Sequence, residues 1–250
     1  MLKIAFLSIF LFLLGSFPAY SALQQTLYVY HNKPPYITDL DAREGLYFDI
    51  VRLINSHATE LQFDLRFIPR KRLDKLLQEA QLPGFILGVN PAWFGDIKKQ
   101  KYLWSSPLMY DTDEFVSHIE HPFEYYHPSS LSGNLVGTIA GYYYRYLDQK
   151  NEYSKVQRVD VNSEEALLEM VLKKRVNVAI VSRSTTEYLA TKNGWKEVFY
   201  FSQNPHETYY RAIMAPESLK AEFTLLQDAL DSELFKKQLV TLLKSYHLVY

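Results

Sequence analysis

Apolar and polar residues alternate along this chain in two rhythms, and the switches between the rhythms mark its elements. Thr26–Tyr30 (TLYVY) is a β-rich run, and Gln62–Ile68 (QFDLRFI) alternates with a period of two, as a half-buried strand does. Between them, from Gly45, Phe48, Val51 and Ile54 recur at helical spacing. Lys71–Gln81 is a charged helix with Leu73, Leu76 and Leu77 on one face, and Gly84–Val89 (GFILGV) is a short buried strand. The first third therefore reads β-α-β-α-β, the signature of a parallel sheet covered by helices.

After an irregular aromatic stretch, Glu114–Ile119 reads as a strand and His121–Ser130 as a loop, and then the alternation restarts. Strands are expected at Asn134–Ile139, Gln157–Val161, Val176–Val181 and Glu197–Phe201, with helices at 141–149, after Asn162, and at Ser184–Lys192. Asn162 with Glu165 at the third helical position fits a capping box, with Ala166, Leu167, Met170 and Val171 as the buried face. Asn193-Gly194 stops the third of these helices. A polar turn at Ser202–Thr208 leads to a last strand, Tyr209–Ala215, and to two closing helices, Glu217–Leu230 and Ser232–Tyr246. Two alternating units in succession predict two lobes of α/β type.

The N-terminal segment departs from both rhythms. Lys3 precedes an almost wholly apolar run, Ile4–Leu14, and Ala19-Tyr20-Ser21 places small residues at the −3 and −1 positions of a secretory cleavage site. At about 11 residues the run is too short to span a bilayer, which needs about 20. Residues 1–21 are thus expected to be a cleaved signal peptide that delivers the chain to the periplasm. There is no cysteine, which removes disulfides, thiol nucleophiles and cysteine metal sites. A net charge of −1 gives no broad attraction for nucleic acid or anionic lipid. No Walker loop, G-x-G-x-x-G, H-E-x-x-H or G-x-S-x-G occurs, and the seven His show no metal-ligand spacing, so neither a metal nor a cofactor is expected. Tyr is abundant, at 20 residues, and supplies flat faces with polar tips that suit cores and pockets alike.

Ligands of open α/β sheets sit beyond the carboxyl ends of the strands. The groups there are Tyr36 in the Pro34-Pro35-Tyr36 turn, Arg70, Asn90 and Trp93 in the first unit. In the second they are Gly141, Tyr142 and Tyr143, then Ser182 and Arg183. Aromatic and cationic side chains at nearly every strand end predict a binding cleft.

These segments in this order (the PPY turn, GLYFDIVRLIN, PRKRLDKLL, KKQKYLWSSPLMY, LSGNLVGTIAG, KKRVNVAIVSRS and YYRAIMAP) resemble the extracellular solute-binding proteins of family 3, with the type II periplasmic binding fold. The resemblance implies a first lobe from 22–110 and 205–250 and a second from 111–204, joined by crossing segments near 109–114 and 202–208. It implies a monomer that binds a small molecule, needs no cofactor and is not an enzyme. Its partner would be an ABC-type permease, or alternatively a membrane sensor protein. Members that bind amino acids hold the carboxylate with an Arg, here at Lys98, and the ammonium with an Asp, here at Ser182. Both replacements, with Tyr142 and Tyr143 where small residues are usual, point to a polar or anionic solute with an aromatic or apolar body. Secreted cyclohexadienyl dehydratases resemble the same pattern. A cleft enzyme of that type would need a carboxylate or His with a shifted pKa, the candidates being Asp111, Asp113 and Glu207.

Overall fold

The computed structural model describes residues 22–142, 144, 147 and 156–248. The expected signal peptide and five of the nine residues of the expected 141–149 helix, Tyr143 among them, lie outside the described residues. The described elements are β1 (Leu23–Val29), α1 (Leu46–His57), β2 (Leu61–Phe67), α2 (Arg70–Gln78), β3 (Phe85–Val89), β4 (Leu103–Trp104), β5 (Met109–His118), β6 (Leu135–Ile139) and β7 (Gln157–Val161). They continue with α3 (Glu164–Leu172), β8 (Val178–Ser182), α4 (Arg183–Asn193), β9 (Phe199–Phe201), β10 (Glu207–Ala215), α5 (Lys220–Asp231) and α6 (Glu233–Ser245).

The strands run in the order β2-β1-β3-β10-β5-β8-β6-β7, with β4 on β10 and β9 on β5. Each lobe is built on parallel pairs: β1 with β2 and β3, and β6 with β7 and β8. β3 and β8 are buried along their whole length, as strands covered on both faces are. In the first lobe α1, α5 and α6 cover one face through Leu46, Ile50, Ile54, Leu226, Phe235 and Leu239, while Leu73 of α2 packs on the other. In the second lobe Leu167, Leu168 and Val171 of α3 and Leu189 of α4 cover one face, and Phe115, Tyr125 and Leu131 fill the other.

β5 and β10 form an antiparallel pair that crosses between the lobes, from Glu207↔Asp113 to Arg211↔Met109. Beyond this stretch β10 turns to β3 through Ala212, Ile213 and Met214, and β5 turns to β8 from Asp113 to Val116. Both strands are longer than their apolar residues predict. Their crossing parts carry Asp111, Thr112, Asp113, Glu207 and Thr208, and backbone pairing with each other, not an apolar face, makes them strands.

The start of α3 corrects the sequence reading. Ser163, not Asn162, is the N-cap, and its hydroxyl accepts from the Ala166 amide at 3.2 Å. The buried stripe becomes Glu164, Leu167, Leu168 and Val171, at i, i+3, i+4 and i+7, and Ala166 faces solvent. This one-residue shift puts a carboxylate at the first position of the inward stripe. Among the described residues no helix is long and apolar enough to cross a membrane.

Candidate functional site

Side chains from both lobes and both crossing strands converge between the lobes. The loop after β1 brings His31, Lys33 and Tyr36, and its Pro34–Pro35 bond is cis. In a strand, residues two apart share a face, so β10 presents Tyr209 with Arg211 and β5 presents Asp111 with Asp113. The second lobe contributes Tyr142 after β6, Ser182 at the end of β8, Ser184 and Thr185 in the first turn of α4, and Glu164 from α3.

Arg211 is the hub of this cluster, with 1% of its surface exposed. Its Nε donates to Tyr36 Oη at 3.2 Å, Nη2 to Tyr209 Oη at 3.1 Å and Nη1 to the Gly88 carbonyl at 2.9 Å. The guanidinium also lies over the rings of Tyr36 (4.4 Å), Tyr209 (5.0 Å) and Trp93 (5.2 Å). Gly88 makes room for this arrangement. At φ 78° it has a backbone that side chains resist, and an added Cβ would lie 2.0 Å from Tyr47 Oη. Tyr47 in turn stacks on Tyr36, with ring centroids 4.9 Å apart.

Two hydroxyl relays connect Arg211 to the buried Asp111 and the half-buried Asp113. Tyr36 Oη contacts Asp111, which also accepts from Ser184 Oγ at 2.7 Å. Tyr209 Oη donates to Asp113 Oδ1 at 2.9 Å. Arg211 Nη2 itself stands 3.9 Å from Asp111 Oδ2.

Burial and charge set the protonation states. Burial raises the Asp113 carboxyl to about 7. Glu164 and Asp111 push in the same direction, and nearby Lys33 and the Tyr209 hydroxyl oppose them. Asp113 therefore holds or releases a proton near neutrality, the property expected of a carboxylate in a catalytic cleft. His31 is driven well below the usual histidine range by burial and by Arg211, Lys33 and Arg70, so it is neutral. Because a guanidinium only donates, His31 Nδ1, 3.5 Å from Arg211 Nη1, accepts, and the imidazole proton resides on Nε2. Burial holds Tyr36 and Tyr209 as phenols, well above their ordinary values.

The second lobe meets this cluster directly. Lys33 Nζ lies 2.5 Å from Glu164 Oε1 and donates to Ser182 Oγ at 2.9 Å. The Ser182 hydroxyl donates to Glu164 Oε2 at 2.9 Å, and Thr185 Oγ1 donates to the Pro34 carbonyl at 2.6 Å. His31 meets Tyr142 edge-on with ring centroids 6.1 Å apart, and Trp93 meets Tyr209 at 5.0 Å. In this closed arrangement side chains of the two lobes thus meet across the cleft.

Of the residues singled out in the sequence, Tyr36, Trp93, Tyr142 and Ser182 lie in this convergence. Arg70 stands behind it, bound to Asp74 (2.7 Å), Tyr30 Oη (3.2 Å) and the Trp93 carbonyl (2.9 Å), and so braces the aromatic wall. Asn90 is a local cap: its Oδ1 accepts from the Ala92 amide and its Nδ2 donates to the Tyr210 carbonyl. Lys98 is solvent-exposed, and Gly141 is an exposed left-handed turn at φ 81°. Arg183 points away, with Nε on Glu114 at 2.7 Å and the guanidinium over Phe201. Its direction follows from the first turn of α4, which aims Ser184 and Thr185, not Arg183, at the cleft.

The sequence reading missed His31, Lys33, Tyr47, Glu164, Tyr209 and Arg211. The D-x-D spacing of Asp111 and Asp113 and the Y-x-R spacing of Tyr209 and Arg211 were the available signals, because each places two polar groups on one strand face. Ser182 lacks the charge that an ammonium favours, and Glu164, the first residue of α3, supplies it.

No protein-family model matches the chain, and no curated protein does. Solved structures match it over nearly its whole length at low identity. A mutant of ArgBP from T. maritima aligns at 13% identity over 90% of this chain and 95% of its own, with a TM-score of 0.69. A double mutant of the Bordetella pertussis BvgS VFT2 domain aligns at 14% identity over 89% of this chain and 93% of its own, with a TM-score of 0.65. The GluR0 ligand-binding core from Nostoc punctiforme, in complex with L-glutamate, aligns at 13% identity over 86% of this chain and 96% of its own, with a TM-score of 0.64. The fold of this chain is the two-lobed type II periplasmic binding fold.

Proposed function

We propose that this protein is an exported solute-binding protein whose lobes, 22–110 with 205–250 and 111–204, close by hinge motion on a small molecule. The observation that carries this reading is the convergence between the lobes of His31 and Trp93 from the first lobe, Tyr142 from the second, and Tyr209 and Arg211 from the crossing strand β10. Flat rings around a buried cation suit a solute with an anionic group and an aromatic or apolar body. Each ring pair adds about 0.5–1.5 kcal/mol beyond area burial, and a charge-assisted hydrogen bond about 1.5–3 kcal/mol. A few such contacts reach about −8 kcal/mol, or micromolar affinity. The substrate binding protein of an amino acid ABC transporter shares the fold, which supports delivery to an ABC-type permease in the periplasm. The test is a thermal-shift screen against organic acids, aromatic acids, amino acids and polyamines. Stabilisation by a carboxylated aromatic that is lost in Trp93→Ala supports the reading, and stabilisation by ordinary amino acids alone contradicts this solute class.

A second reading is favoured by the bonds that the lobes make to each other through Lys33, Tyr36, Ser184 and Thr185. A clamp held by its own side chains suits a sensory module whose closed form is one signalling state, and the BvgS VFT2 domain shares the fold. A permease and ATPase encoded beside the gene support transport; a sensor kinase there supports signalling. The near-neutral Asp113 favours a third, catalytic use of the cleft. Turnover of a cyclohexadienyl acid, lost in Asp113→Asn, tests it.

A further inference from the structure

Among the described residues, Lys33 is the one cation of the first lobe whose ammonium is seated in the second. Its side chain is 11% exposed and that of Glu164 is 6% exposed, so both charges are largely out of water. A pair this buried is costly unless its remaining bonding capacity is met. Here it is met on both sides. Glu164 receives the ammonium on Oε1 and the Ser182 hydroxyl on Oε2. The ammonium donates a second bond to Ser182 Oγ and faces the Tyr36 ring at 5.8 Å. Carboxylate, hydroxyl and aromatic face together make a cation subsite, formed by α3 and β8 of the second lobe and roofed by Tyr36 of the first. Thr185 fastens the same loop by donating to the Pro34 carbonyl, one residue from Lys33.

We propose that Lys33 is a tethered ligand: its ammonium fills the cation subsite of the second lobe, holds the lobes together without a solute, and excludes primary ammonium compounds from that subsite. The inference rests on the two-lobed clamp described above but not on which solute the cleft takes. A tethered group presents itself at an effective concentration of roughly millimolar or more. A free amine well below that level therefore cannot displace Lys33. Any solute of the closed protein must bind beside this pair, against the rings around Arg211, without placing an ammonium in that subsite.

Removing the tether empties the subsite, and a small amine then refills it. Small-angle X-ray scattering on the full-length protein should give Lys33→Ala a larger radius of gyration than wild type. Ethylammonium should return it to the wild-type radius and raise its melting temperature by about 2–4 °C at roughly five times its dissociation constant. Tetramethylammonium, which has the charge but no N–H, should do neither. Ethylammonium should leave wild type and Lys33→Ala/Glu164→Gln unchanged. Glu164→Gln with Lys33 intact should also expand, which keeps the test independent of how Lys33→Ala folds. A Glu164→Gln or Lys33→Ala protein as compact as wild type overturns the proposal, as does equal compaction by tetramethylammonium. Because the probe is a simple amine, either failure leaves solute binding by wild type to stand or fall on its own screen.

Discussion

Arg211 distributes its donors among Tyr36, Tyr209 and the Gly88 carbonyl, so its charge is neutralised through hydroxyls more than by direct contact with a carboxylate. Removing one member leaves the others buried and unpaired. Tyr36→Phe is expected to cost about 1–3 kcal/mol, because Asp111 loses a donor and Arg211 Nε an acceptor. Arg211→Met should cost about 3–5 kcal/mol, as breaking one side of a buried charge network does. Urea unfolding of the two variants measures both. Asp113 gives a pH signature. Its folded value of about 7 lies above its unfolded value, so between about pH 4 and 7 the folded state binds more protons than the unfolded state. Stability must then fall as pH rises through that window, by this group's share, and level off above it. Melting temperatures from pH 4 to 8 should show a shallower fall in Asp113→Asn, which is also the more stable protein at pH 8. Little of this network was legible in the sequence. A lone Arg in a strand such as YYRAIMA reads equally well as an edge residue, and nothing local reveals that Tyr36, 175 positions away, lies against it.

The elements themselves were largely legible, because the change of hydrophobic period from two to helical is local. Helix starts were less so. Asn162 and Ser163 are both good caps, and only the backbone decides between them. Ser163→Ala should therefore cost about 0.5–2 kcal/mol and Asn162→Ala much less, by thermal or urea unfolding. The same single-residue shift explains why Glu164 went unnoticed: with Asn162 as the cap, the inward stripe contains Ala166 and Met170, not Glu164 and Leu168. The crossing strands were misjudged in length for a different reason. Hydrogen bonding between β5 and β10 is long-range, and polar stretches carry no periodic trace of it.

At the scale of the whole molecule, two alternating α/β units predicted two lobes, and the solved structures with this fold agree. The cleft was legible as a location, since strand ends point to it, but not as a chemistry. The cationic residues singled out in the sequence divide here between a brace (Arg70), an outward ion pair (Arg183) and an exposed side chain (Lys98), while the cations found inside, Lys33 and Arg211, come from a loop and a crossing strand. The central claim is that a small solute binds between the lobes against the aromatic groups around Arg211. Its most direct test is a thermal-shift screen of purified wild type, Trp93→Ala and Arg183→Ala. A solute at 100 times its dissociation constant should add about 2.7 kcal/mol to wild type, a rise of several degrees. The account predicts that this rise survives in Arg183→Ala and disappears in Trp93→Ala. A rise of equal size in Trp93→Ala, or none in wild type with any solute class, would contradict it.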